Sequence, residues 1–244
     1  MADYRQRIYK HYRSSGYASR NSTTAAAEAS RLESYHLQFG KLLPKRPDLS
    51  ILDLGCGSGF LVKYLLDLGY SDVQGVDASE EQVRYARERG LPVVQADALE
   101  FAEANAGYDV IFATDMIEHL HKPEIFSLIT AIHAALRPGG RLIMRTDNAS
   151  SILGSRLRYM DFTHEVLFTE DSLAQVLYSC GFSDVEVFDT GALFGLSPRR
   201  FARWLLHKVW RQLLILVYLI EVGETRPRLM GKYLIARAAK SGKE

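Results

Sequence analysis

The segment with the clearest chemistry is Asp53-Leu54-Gly55-Cys56-Gly57-Ser58-Gly59. An apolar run leads into it and a helical pattern follows, so it reads as a strand, a tight turn and a helix start. Glycines at such a turn let the backbone approach a ligand closely and take positive φ angles. The spacing is G-x-G-x-G, whereas a dinucleotide fingerprint reads G-x-G-x-x-G, which argues against NAD or FAD. No Lys-Ser or Lys-Thr pair follows, which argues against a nucleoside triphosphate loop. Acids recur where later apolar runs end, at Asp77, Asp97 and Asp115. Carboxylates at successive strand ends line one crevice, and Asp77 suits two ribose hydroxyls in charge-assisted hydrogen bonds. Asp53 either faces that crevice or caps the glycine turn. His164, flanked by Asp161 and Glu165, can take a proton near neutral pH with either acid orienting its ring. Its rival role is that of a loop histidine bonding backbone groups. His119, directly after Glu118, is the second candidate for proton transfer, against a structural role under the crevice. Asp115, Asp147 and Asn148 offer the oxygen donors a hard divalent cation takes; the main reading assigns no metal.

The elements that must position these residues follow from periodicity. Apolar runs of strand length alternate with helical patterns through the middle of the chain, the signature of βαβ units and a mostly parallel sheet. Strands are expected at Ser50 to Leu54, Asp72 to Asp77, Pro92 to Gln95, Asp109 to Ala113 and Arg141 to Arg145, with late strands at Val185 to Phe188 and Lys232 to Arg237. Helices are expected at Phe60 to Leu68, Glu80 to Arg89, Pro123 to Leu136 and Asp171 to Cys180. The last is capped by the Thr169 hydroxyl and stopped by Gly181. Pro138-Gly139-Gly140 reads as a turn into the fifth strand. Residues 148–170 and 190–231 fit the alternation poorly and are the places for substrate-specific structure.

The 244 residues, 47% hydrophobic and 24% charged, suit one α/β domain with embellishments. The two cysteines, Cys56 and Cys180, are too few for a disulfide framework. Together with a polar, basic N-terminus unlike a signal peptide, they suggest a cytoplasmic protein. A net charge of +1 hides nine Lys/Arg against three Asp/Glu in residues 1–46 and eleven against three in residues 199–244. Basic ends around an acidic middle suit either an anionic partner or plain solubility.

The glycine turn resembles the first motif of class I S-adenosylmethionine-dependent methyltransferases, and the rest of residues 50–147 follows in family order. Val76-Asp77-Ala78-Ser79 matches the ribose-binding strand end, and Gln95-Ala96-Asp97-Ala98 the segment beside the adenine amino group. Thr114-Asp115-Met116-Ile117-Glu118-His119 matches the fourth strand end, and Leu136-Arg137-Pro138-Gly139-Gly140 the turn before the fifth. The resemblance implies a Rossmann-like seven-stranded mixed sheet with helices on both faces, an N-terminal helical cap over residues 1–48, a cofactor core over 49–147 and helical insertions at 148–170 and 190–231. It implies S-adenosylmethionine as cofactor, with Asp53, Gly55, Cys56, Gly57, Gly59, Asp77, Ala78, Asp97, Ala98, Asp115 and Met116 as its contacts. Asp161 to Thr169 resembles a D-x-x-H segment and helix entry in bacterial ubiquinone-biosynthesis and surface-polysaccharide methyltransferases. His164, with His119 next, is thus the candidate base. The acceptor is read first as a sugar of a surface glycan or its precursor, then as an isoprenoid quinone or other lipid-soluble molecule; a nonenzymatic S-adenosylmethionine-binding regulator is the reading from another class. No nucleic-acid partner is expected.

Residues 199–220 form one helix pattern. At about 100° per residue Arg199, Arg200, Arg203, His207 and Arg211 gather on one side, with Phe201, Leu205, Val209, Leu213, Leu216 and Ile220 opposite. Its wholly apolar part is shorter than the roughly 20 residues of a membrane span. Three readings remain: a packed lid over the acceptor, a homodimer contact, or peripheral contact with the inner face of a membrane.

Overall fold

Seven strands form one mixed sheet in the computed structural model, which describes residues 4–11, 24–190, 198–223 and 229–242. In chain order the strands are β1 Ser50–Leu54, β2 Asp72–Asp77, β3 Val93–Gln95, β4 Tyr108–Thr114, β5 Leu136–Asp147, β6 Ser183–Asp189 and β7 Tyr233–Ala239. They lie side by side as β3-β2-β1-β4-β5-β7-β6, with β7 antiparallel to both neighbours. The order reverses direction between β1 and β4, so a crevice opens beyond the carboxyl ends of these two strands, where open α/β sheets take their ligands.

The helices are α1 Tyr4–Tyr9, α2 Ala25–Phe39, α3 Phe60–Asp67, α4 Glu80–Glu88, α5 Ala98–Ala104, α6 Lys122–Ala135, α7 Gly154–Met160, α8 Glu170–Ser179 and α9 Pro198–Val222. Two apolar cores sandwich the sheet. On one face Leu52, Leu54 and Ile111 pack with Ile125, Ile129 and Ile132 of α6 and Leu173 and Leu177 of α8. On the other, Ile51, Phe112 and Ile143 pack with Phe39 of α2 and Leu61, Val62 and Leu65 of α3. Strand residues alternate between these layers because successive side chains point to opposite faces.

Most expected boundaries lie within one or two residues of those observed. The Thr169 cap is present as a reciprocal box: its hydroxyl accepts from Ser172 N–H while the Ser172 hydroxyl accepts from Thr169 N–H. Two differences have physical causes. Strand β5 begins at Leu136, so Pro138-Gly139-Gly140 lies inside it; Gly139 N–H reaches Lys240 O and Lys240 N–H reaches Gly140 O, extending the pairing with the chain beyond β7. Helix α5 was not expected; Asp97 starts it by accepting from Leu99 and Glu100 N–H. Within 148–170, where a helical insertion was expected, residues Gly154–Met160 form a helix.

Candidate active site

A cavity of about 660 Å³ occupies the crevice, a size suited to a nucleoside-bearing ligand. Its floor is the turn after β1, where Gly55 and Gly57 have φ of 69° and 54°. A Cβ on Gly55 would lie 3.1 Å from the Met116 side chain, so the turn admits no larger residue there without displacing that wall. Asp77 ends β2 and holds the turn closed: Gly57 N–H and Ser79 N–H each donate to one of its oxygens at 2.8 Å. Burial still pushes its carboxyl above the ordinary value against those two bonds.

Of the expected cofactor contacts, Gly55, Cys56, Gly57, Asp77, Ala78, Asp97, Ala98, Asp115 and Met116 line this cavity. Two do not. Gly59 caps α3 in the left-handed region at φ 74°, and Asp53 is fully buried beneath the turn. Neither Asp53 oxygen has a hydrogen-bond partner among the described residues, and burial, reinforced by Asp77, pushes its carboxyl well above the carboxylate range. An orphaned acid under a glycine cradle suits a cationic group bound above it. Asp115, at φ 52°, lines the cavity but is committed: Arg145 Nε donates to Oδ1 at 2.8 Å and Nη2 bonds Oδ2. Burial would lower the Arg145 pKa, but Asp115 outweighs it and the guanidinium stays charged. Its charge offsets that of Asp115, so Asp115 exerts little net pull on a cation bound in the cavity.

The two histidines are stacked edge to face, ring centroids 4.7 Å apart, and only His119 lines the cavity. His164 is buried behind it, its Nδ1–H donating to Leu157 O at 2.8 Å. The sequence ranked them the other way; the decisive fact is tertiary, since Glu165 and Val166 N–H are tied to Glu118 O and draw the loop in under the 3-10 turn Ile117–His119. Behind His119 runs a relay: Thr163 Oγ1 donates to Asp161 Oδ1 and accepts from His119 Nδ1–H, both at 2.7 Å. That tautomer leaves Nε2 as the basic nitrogen. Burial, with His164 adding, lowers the His119 pKa to about 4. Burial would raise Asp161, but the Thr163 hydroxyl and N–H hold it below the usual carboxylate value, so the relay ends in a charge.

The N-terminal helices close the roof. Tyr9 of α1 packs edge to face on His119, and Arg5 clamps α1 down through Glu124, at 2.7 Å to each oxygen, and through His119 O. From α2, Ser30, Arg31, Ser34, Tyr35 and Gln38 face the cavity, and Gln38 Oε1 accepts from Arg145 Nη1 at 2.7 Å. Neither Gln38 nor Arg145 nor Tyr233 was found by sequence reasoning. Arg145 carried a signal, a cation in an otherwise apolar strand; Tyr233 and Gln38 carried none. Two of the oxygen donors considered for a cation are engaged: Asp115 by Arg145, and Asn148, whose Oδ1 accepts from Ser150 N–H while its Nδ2 donates to Leu229 and Gly231 O. A different trio does meet: Glu118, His119 and His164 each place a donor atom within 4.8 Å of the others.

The methyltransferase domain family matches residues 17–187, which is more than half of the chain. The chain belongs to that family. Among curated relatives, the ubiquinone biosynthesis O-methyltransferase of Ruegeria pomeroyi is 34% identical over 157 residues, covering 57% of this methyltransferase-domain chain and 61% of the relative. The tRNA U34 carboxymethyltransferase of Hahella chejuensis is 30% identical over 168 residues, covering 64% and 51%. The chain therefore spans between half and two thirds of the length of these relatives. A solved S-adenosylmethionine-dependent methyltransferase from Archaeoglobus fulgidus superposes with a TM-score of 0.65 at 20% identity, over 86% of this chain and 94% of that one, and shows the shared fold. The crevice fits the family's cofactor: a glycine cradle, the acid Asp77 at the end of β2, and beneath the turn the orphaned buried acid Asp53.

Proposed function

We propose that this chain transfers the methyl group of S-adenosylmethionine to a hydroxyl oxygen of a lipid-soluble ring, with His119 as the base. The cofactor supplies an electrophilic methyl on a sulfonium; the chain's own residues align the acceptor and take its proton. The observation that carries the reading is His119 on the cavity wall, neutral at physiological pH and fixed in one tautomer by Thr163 and Asp161. A neutral imidazole can accept the hydroxyl proton as the C–O bond forms and the C–S bond breaks. Tyr9, Tyr35 and Tyr233 give the wall aromatic surface, and Ser34, Gln38 and Arg145 give it donors, a lining suited to a hydroxylated ring. The acceptor read first from the sequence, a glycan sugar, has less behind it than the quinone alternative, because the Ruegeria relative is a ubiquinone biosynthesis enzyme. Labelled cofactor added to fractionated cell extract tests the choice: label in the quinone and phenol fraction supports it, and label confined to the glycan fraction overturns it.

A second reading rests on the trio of Glu118, His119 and His164. Two imidazoles and a carboxyl suit zinc or a similar borderline cation, which could polarise the acceptor oxygen itself. Turnover lost on dialysis against a chelator and restored by a divalent metal favours this reading; turnover indifferent to chelation leaves His119 as the base.

A further inference from the structure

We propose that α9 docks this chain on an anionic lipid surface. The helix has 25 residues, about 37 Å at 1.5 Å per residue, and no described residue of it is buried. Leu205, Val209, Leu213, Leu216 and Ile220 are all at least 49% exposed, an uncovered stripe along its whole length. No described residue of the helix lines the cavity. The helix is not a span: no described helix is long and apolar enough to cross a membrane.

The arrangement around the helix axis selects the occupant. At about 100° per residue the stripe is centred on Val209, and Arg203, His207 and Arg211 stand opposite. Trp210 falls on one border between these faces, a position where an amphipathic ring sits in a helix lying in a bilayer interface, with Arg199 beside it, and Lys208 falls on the other border. A second copy packed stripe to stripe would bring Arg199 and Lys208 against cations of its partner, because no Asp or Glu occurs from residue 190 to 220. Anionic headgroups supply acidic groups of the kind that residues 190–220 do not contain.

The base of the helix ties this surface to the cavity. The insert leaves β6 at Asp189 and returns at β7, whose first residue, Tyr233, pairs with Asp147 at the carboxyl edge of the sheet and lines the cavity. Asp189 Oδ2 accepts from Met230 N–H at 3.0 Å and Gly231 N–H at 2.9 Å, pinning the two ends together. A docked α9 thus holds the cavity edge towards the bilayer, which deepens the lipid-soluble acceptor reading and, for its orientation, rests on it.

The test is sedimentation of the full chain with vesicles of phosphatidylcholine alone or mixed with phosphatidylglycerol. The chain should pellet with the mixed vesicles at low salt and be released by high salt. Arg199→Glu with Arg203→Glu, or Leu205→Glu with Leu213→Glu, should lower vesicle affinity about tenfold or more while S-adenosylhomocysteine binding stays at the wild-type level. Wild-type protein that stays in the supernatant overturns the proposal, as do variants that bind vesicles like wild type. A dimer that the Leu205→Glu, Leu213→Glu variant makes monomeric, without vesicle binding by wild type, assigns the stripe to a second copy instead. Cofactor titration reports separately on the methyl-transfer reading, so either can fail alone.

Discussion

Acid should weaken the fold through His119, by an amount that follows from its surroundings. In the unfolded chain the ring titrates near 6.5; in the folded chain burial and His164 hold it to about 4. Between those values the unfolded state binds a proton that the folded state refuses, so stability falls as pH drops through this window and levels off below it. At 1.36 kcal/mol per unit, the group costs about 2 kcal/mol at pH 5 relative to neutral pH. That is an upper figure, because the ring keeps one edge open to the cavity. Urea unfolding of wild type and His119→Asn, measured at pH 7.5 and pH 5, isolates the term; asparagine offers Thr163 a similar donor but does not titrate. The wild-type advantage over the variant should shrink by about 1–2 kcal/mol between the two pH values. An advantage that stays constant would refute the buried neutral imidazole, and with it the argument that His119 is ready to accept a proton at neutral pH. The same lowering moves the acid limb of the rate profile to about 4, below the 6.5 expected for an unperturbed histidine.

Other expectations are more local. His164→Asn keeps a donor near Leu157 O and should retain turnover within about tenfold of wild type, whereas a loss of roughly a hundredfold would return His164 to the role of base. Thr169→Ala removes the capping box of α8 and should cost about 1 kcal/mol in thermal or urea unfolding. Gly59→Ala forces a Cβ to 2.8 Å from Leu91 Cδ1 at a φ of 74°, and should destabilise by about 2 kcal/mol as judged by the urea midpoint.

The fold was largely legible because its signals are local. The run Ile51 to Leu54 is fully buried and reads as apolar but for Asp53, and the glycines after it mark the turn. Asp77 was legible as an acid at a strand end. Helix α5 was missed because Asp97 was assigned only to a ligand, although its carboxylate also caps the helix. The histidine order was illegible because proximity to the cavity depends on how the loop after α7 packs beneath the 3-10 turn, a contact between residues more than forty positions apart. Asp115 looked free in sequence because its partner, Arg145, arrives from the neighbouring strand thirty positions later. The exposed stripe of α9 was visible as periodicity, but what it faces is set by tertiary structure alone.

The central claim is that the crevice above the glycine turn binds S-adenosylmethionine through Asp77. Calorimetric titration of S-adenosylhomocysteine into wild type and Asp77→Ala tests it directly, with circular dichroism to confirm that the variant is folded. The account predicts one site per chain and an affinity weaker by about a hundredfold in the variant, the scale of two charge-assisted hydrogen bonds. No heat with wild type, or equal affinity in a folded Asp77→Ala, would contradict it.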